Sequence, residues 1–381
     1  MPRIRSQSQS FNLYASRNTA TGTMSGDGDI LQIQRLTSIG GPEWTYERAP
    51  INIIGKLAPL TRDTTDNPTV SVPFSYYLTD FQNESFLGFD IQTGISPEVG
   101  ALSGILTKTP GKDEKNYFIL VTPEGVDATT RSGAIANEYV LGIGNAFITN
   151  YSIEASVGDY PTASLTIEGY NLRGQAGNTG VIQVPVSNWF SSPAINPTTS
   201  LSITGDASNF RLPVGSIGHS SKPFILKPGD VTVDLQSNAT GLFANTETAS
   251  FNVQSFNVSF DLARDPIQSL GSRYARSREL TFPIDVNFTV EALAGDLKAA
   301  NLRDFVCNPI AQTAVITMKK PDCANAGQVQ ARITLKGLTL QSEAFSIDAG
   351  DNQSVSLTWL GSIGAPDDTV NNIFLSGITT Y

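Results

Sequence analysis

Apolar and polar residues alternate with period two along several stretches of this chain. Val70, Val72, Phe74, Tyr76 and Leu78 interleave with Ser71, Pro73, Ser75, Tyr77 and Thr79. A later stretch alternates more cleanly: Phe282, Ile284, Val286, Phe288 and Val290 against Pro283, Asp285, Asn287, Thr289 and Glu291. Period two puts each set on one face of a strand. Shorter alternations at 29–34 and 250–254 read as half-buried strands. Two hairpins follow the main strands. One runs through 152–157, turns at Gly158-Asp159 and returns over 163–167. The other runs through 345–349, turns at Gly350-Asp351 and returns over 355–359. Gly with Asp or Asn at a tip suits a tight turn. Helical spacing is strongest over 292–305, which puts Leu293, Leu297 and then Ala300 or Asn301 on one side. Residues 80–89 hold the matching slot with a weaker pattern. The pattern therefore predicts an all-β chain with one short helix per unit.

The units are two because the chain repeats itself. Arg48-Ala49-Pro50-Ile51-Asn52-Ile53-Ile54-Gly55 returns as Arg264-Asp265-Pro266-Ile267-Gln268-Ser269-Leu270-Gly271. Ser164-Leu165-Thr166 returns as Ser356-Leu357-Thr358, in the same order within each half. Pro ahead of a short apolar pair and Gly reads as a bend entering a loop. From Gly55 to Gly158 the chain advances 103 positions, but from Gly271 to Gly350 only 79, so the first unit carries 24 more. They are expected between 90 and 145. The resulting division is a polar arm over 1–29, extended or disordered until assembled, a first unit over 30–171, a connecting segment over 172–249 and a second unit over 250–381. A structureless connection of that length is unusual. Residues 224–235 read as a strand pair around a turn within it.

Composition agrees with short strands and many turns. The 381 residues include 33 Gly and 21 Pro, and 40% are hydrophobic against 16% charged. The net charge of −10 argues against a surface that holds nucleic acid, since phosphate binding needs clustered Lys and Arg. It suits a surface that nucleic acid slides past, and equally an ordinary acidic protein. Cys307 and Cys323 read as two free thiols, with a single bridge geometrically open. The single histidine, His219, sits beside Gly218, Ser220 and Ser221 as a polar loop residue. It excludes multi-histidine metal sites. No paired catalytic acids, phosphate loop or metal cluster stands out, so neither an enzyme nor a cofactor is expected. No apolar stretch has the length of a membrane span, and the first residues are polar, so no signal peptide and no membrane partner are expected.

Candidate function lies in the polar strand faces. The hairpins present Ser152, Glu154, Ser156, Ser164, Thr166 and Glu168 in the first unit, and Ser346, Asp348, Ser356 and Thr358 in the second. The preceding strands add Ser71 and Ser75, then Asp285, Asn287 and Thr289. None of these positions is Lys or Arg. On a closed sheet such a face would line a wet, neutral-to-acidic bore. The plain alternative is the solvent side of a sandwich. Arg48, Arg264, Asp265, Arg273, Arg276 and Arg278 are candidates for contacts between subunits or stacked rings, or else for solvated loop pairs of little energetic weight.

These units, each with an alternating strand, a short flanking helix and a late hairpin, resemble the tail tube proteins of long-tailed bacteriophages. The segment 144–153, running on to 161–164, is part of that likeness, which covers about 30–171 and 250–381. It rests on pattern and order. Most members have one tube domain per chain and form hexameric rings. This chain looks closer to members of non-contractile tails, with tandem domains and trimeric rings of pseudo-hexameric symmetry. The resemblance implies two β-sandwich or barrel domains and a structural virion protein, assembled in the host cytoplasm. Its partners would be its own copies, other tail proteins and DNA passing through the lumen. It leaves open whether the tail contracts. The rival reading is a monomeric or fibre-associated β-sandwich that binds carbohydrate or a receptor, on the strength of Trp44-Thr45-Tyr46 and Trp189-Phe190.

Overall fold

The computed structural model describes residues 10–16, 30–45, 48–64, 69–93, 99–109, 111–128, 138–176, 183–185, 200–202, 225–236, 249–250, 253–270, 275, 277–293, 311–320, 328–345 and 354–377. The alternating stretches do become strands, and three sheets hold most of them. The central sheet starts with β3 (Leu36–Ile39) and β4 (Glu43–Thr45), both laid on β7 (Thr69–Tyr77). It continues through β11 (Thr162–Gly169), β10 (Tyr139–Ser156), β17 (Val253–Asp261), β20 (Ile284–Leu293), β23 (Ser354–Ile363) and β22 (Val329–Phe345). Every pairing in it is antiparallel. The β10–β17 pairing joins the two halves of the chain into one sheet.

Two flanking sheets share the long strands. The first has the order β2 (Ile30–Gln32), β1 (Phe11–Ser16), β9 (Lys115–Val121), β10 and β12 (Asn171–Ala176). The second has β16 (Ala249–Ser250), β15 (Val231–Gln236), β21 (Gln312–Lys319), β22, β24 (Asn372–Gly377) and, parallel to it, β8 (Ile91–Gln92). β10 and β22 thus cross from a flanking sheet to the central one. β10 does so through register shifts at Ile143/Ala146 and Ile148/Asn150, as bulges bend a strand. Three two-stranded ribbons complete the set: β5 (Arg48–Ile51) with β6 (Thr61–Thr64), β18 (Arg264–Ile267) with β19 (Ser277–Leu280), and β13 (Gln183–Pro185) with β14 (Ser200–Ser202).

The apolar sides of the central and flanking sheets enclose one continuous core. Val72, Phe74, Ile153 and Leu165 line it in the first half, and Val286, Phe288, Leu357 and Trp359 in the second. Trp359 is wholly buried, stacks on Phe288 with ring centroids 5.3 Å apart and donates its indole N–H to Gln312 Oε1 at 2.7 Å. That bond satisfies the one polar atom of a buried tryptophan.

The halves repeat each other strand for strand. β7, β11, β10, β9 and β1 pair in the same order as β20, β23, β22, β21 and β15. The irregularities repeat as well. The shift at Ile148/Asn150 returns at Leu340/Ser342, and that at Leu36/Ser38 returns at Val253/Ser255.

Several expectations change. Phe11–Ser16, inside the expected arm, is a buried strand between β2 and β9, because its apolar residues complete the first flanking sheet. Its counterpart β15 falls in the connecting segment. Residues 231–236 form one strand after a short 3₁₀ turn at Pro228–Asp230, and among the described residues the expected strand pair is absent there. The Arg-x-Pro-Ile element is a strand of a two-stranded ribbon. Its proline is tolerated because such a ribbon has open edges. The first expected helix is α1 (Gln82–Leu87), and α2 (Ser103–Leu106) lies in the expected insertion. In the second unit Ala292 and Leu293 end β20 as strand, and the rest of the stretch to 305 lies outside the described residues, as do Cys307, Cys323 and His219.

A polar face across both halves, and the clamps that flank it

The side of the central sheet away from the core carries rows of mostly polar residues. One row runs Ser75, Ser164, Ser152, Ser259, Asn287, Leu360 and Thr339. The next runs Tyr77, Thr162, Glu154, Asn257, Thr289, Thr358 and Ser342. A third runs Ser156, Ser255, Glu291, Ser356 and Ala344. All three cross the β10–β17 joint. Ser71 and Thr166 extend the face on β7 and β11, and Asp285 extends it on β20. Neither Lys nor Arg occurs among these described positions. Two open hollows of about 690 and 600 Å³ lie along the face, one lined by Ser152 and the other by Glu154.

Its acids are held by neighbouring hydroxyls. Thr162 Oγ1 donates to Glu154 at 3.2 Å, Ser362 Oγ to Asp285 at 3.0 Å, and Ser255 and Ser354 to Glu291 at 3.2 and 3.4 Å. No cation neutralises these three within the rows, so the face carries a net negative field. Glu291 continues the polar side of the second alternating stretch, and Asp261, Ser255, Asn257 and Ser259 join it from a strand that the sequence pattern does not single out. The alternation over Val253–Asp261 was the available signal. Ser346 and Asp348 lie outside the described residues.

The arginine candidates divide. Arg264 and Arg278, on the β18–β19 ribbon of the second half, are anchored on the first half. Arg264 reaches Asp113 at 2.5 Å and lies 4.4 Å from the ring centroid of Phe147, with both members of the ion pair nearly buried. Arg278 reaches Glu168 at 2.8 Å and lies 4.0 Å from the centroid of Tyr170. These side chains lock two halves of one chain, so Glu168 is a paired acid. Burial pushes the Tyr170 hydroxyl up to about 12 and raises the neighbouring Glu114, which accepts from Asn145. Arg48 and Asp265 are exposed, and Arg273 and Arg276 lie outside the described residues.

Behind the face sits a buried carboxyl. Glu84, in the first turn of α1, is 1% exposed. Its Oε1 accepts from the hydroxyls of Tyr76 on β7 at 2.8 Å and Tyr151 on β10 at 2.9 Å. Desolvation raises its pKa to about 7 against the hydrogen bonds that lower it, and Asp80 adds a smaller upward push. Among the described residues no group of His, Cys, Asp and Glu has the makings of a metal site, and no helix is long and apolar enough to cross a membrane.

No protein-family model matches the chain, and no curated protein does. Among solved structures it is similar to a chain of the anti-feeding prophage baseplate, 14% identical over 42% of this chain and all of that one, with a TM-score of 0.30. It is also similar to a chain of the sheath/tube terminator of an extracellular contractile injection system, 12% identical over 46% of this chain and all of that one, at 0.28. A third is a chain from the tail of an empty gene transfer agent particle, 17% identical over 36% of this chain and 95% of that one, at 0.24. These likenesses are slight in both sequence and superposition, and at that level they carry no argument about function.

Proposed function

We propose that this chain is a structural tail tube subunit: three copies close a ring of six like units, rings stack, and the polar face lines a bore that conducts DNA. The observation that carries the reading is the set of cation-free rows running unbroken across both halves. A duplicated unit in one chain lets three chains stand for six, which is a closed cyclic arrangement. Phosphate moving along such a wall meets carboxylates and hydroxyls and finds no cation to hold it. The work is assembly and conduction, with no chemical step.

Glu154 and Asp285 are exposed on the face and outside the core, so Glu154→Lys with Asp285→Lys should leave tube assembly intact. DNA release, followed by dye uptake on triggering, should slow or stall. Unchanged release kinetics in assembled particles would refute the bore. Of the rings that suggested the glycan-binding alternative, Tyr46, Trp189 and Phe190 lie outside the described residues, and Trp44 is 57% exposed. Negative-stain images of concentrated protein separate the two, with tubes for the first and small single particles for the second.

A further inference from the structure

The middle of the chain contains a joint between units, and its two ends carry the matching halves of another. In the middle, β17 lies on β10 with Asn150 opposite Asp261 and Ser152 opposite Ser259. Leu262 N–H donates to Thr149 O at 2.7 Å, and Val157 N–H to Gln254 O at 2.8 Å. Those contacts place hydrogen-bonded pairs at the odd-numbered residues of β10. Asn150/Asp261 and Ser152/Ser259 are therefore the closer, non-hydrogen-bonded kind.

β22 is the counterpart of β10, and β3 with β4 is the counterpart of β17. The repeated bulges fix both matches to the residue. Asn150 and Ser152 correspond to Ser342 and Ala344, since each follows its bulge and faces Thr166 and Ser164, or Thr358 and Ser356. Glu43 faces Ser71 and Trp44 faces Val70, just as Ser259 faces Asn287 and Phe260 faces Val286. Glu43 and Thr45 therefore correspond to Ser259 and Asp261. Yet among the described residues this stretch of β22 pairs only with β23, and residues 341–344 are all exposed, whereas Tyr151, at the place of Glu343, is buried beside β17. Among the described residues β3 and β4 form strand pairs only with β7. Unpaired edges of this kind are templates for another chain.

We propose that β22 of one copy pairs with β4 of a second copy in the register of the β10–β17 joint, with Ser342 opposite Thr45 and Ala344 opposite Glu43. The polar rows then run on from chain to chain. The contact is head-to-tail, so it closes a ring when the rotation per chain allows. Gly40-Gly41-Pro42 replaces the two residues Asn257 and Val258 with three, which confines the copied register to the β4 end. The arginine clamp is not copied. Arg48 and Arg62 stand where Arg264 and Arg278 stand, each second arginine opposite a proline, but the places of Phe147, Glu168 and Tyr170 are taken by Thr339, Leu360 and Ser362. Strand pairing carries the joint between chains without those ring and carboxylate sockets.

The pairing concerns the edges and depends on the ring reading only for closure, so one experiment separates them. Thr45→Cys with Ser342→Cys is made in a chain whose Cys307 and Cys323 are replaced by Ser, assembled and oxidised. Covalent species of two and three chains, and none larger, are expected on a non-reducing gel. Thr45→Cys with Glu343→Cys, one residue out of register and aimed at the other face, should cross-link at least about tenfold less, since a disulfide needs Cβ atoms about 4 Å apart. Assembled tubes with no excess over that control overturn the register and leave the ring standing. A ladder reaching six chains supports the register and overturns the three-chain ring. A chain that stays monomeric at every concentration overturns both. If the cysteine chain alone fails to assemble, an image reconstruction of the unaltered tube reads the register directly, and any strand other than β22 beside β4 overturns it.

Discussion

Glu84→Gln should make this protein more stable at alkaline pH and remove a pH dependence that the unaltered chain carries. Gln keeps an oxygen for the hydroxyls of Tyr76 and Tyr151 but cannot ionise. The folded-state pKa of Glu84 is about 7 against an ordinary 4.5, raised mainly by loss of solvent. The folded chain therefore holds this proton more tightly than the unfolded one. The contribution to stability is full below 4.5, declines through the window from 4.5 to 7 and is flat above it. Linkage gives a change of about 2.5 kcal/mol in the difference between variant and parent from pH 5 to pH 8. Subtracting the two proteins cancels every other titrating group. The assay is urea unfolding of the unassembled subunit at pH 5, 6, 7 and 8, followed by tryptophan fluorescence. Curves whose separation is the same at all four values would refute the buried, uncompensated carboxyl. A separation that widens toward low pH would reverse its sign.

Three further outcomes follow from the packing. Asp113→Asn leaves the Arg264 guanidinium buried without its carboxylate and should cost about 3 kcal/mol in the same unfolding assay. Lys108→Ala breaks the pair with Glu279, in which both side chains are more than 40% exposed, and should change stability by no more than about 0.5 kcal/mol. Gly88 caps α1 at φ 110°, and a Cβ there would strike the carbonyl of Lys112. Gly88→Ala should therefore cost at least about 1 kcal/mol in left-handed backbone strain alone, read as a lower midpoint of thermal unfolding.

The sequence by itself determined the alternating strands, the repeat and the facing of their positions. Period two depends only on neighbours along the chain, so Glu154 had to oppose Ile153 and Ala155, and Asp285 had to oppose Ile284 and Val286, before any tertiary contact was known. The Gly158 and Gly350 tips set the same local reading in both halves. Tertiary structure decided what is non-local. Whether 11–16 is an arm or a strand depends on β9, about a hundred residues away, offering an edge. Whether Arg264 and Arg278 are free cations or clamps depends on Asp113, Phe147, Glu168 and Tyr170 being folded beneath them. The burial of Glu84 between two tyrosines from separate strands had no signal in a weak helical pattern. The continuity of the polar face came from β17 lying on β10, and that pairing joins strands from the two halves of the chain. Strand pairing is carried by backbone groups that are alike at nearly every residue, so the choice of neighbour is written in shape, bulges and covered edges and only faintly in residue type.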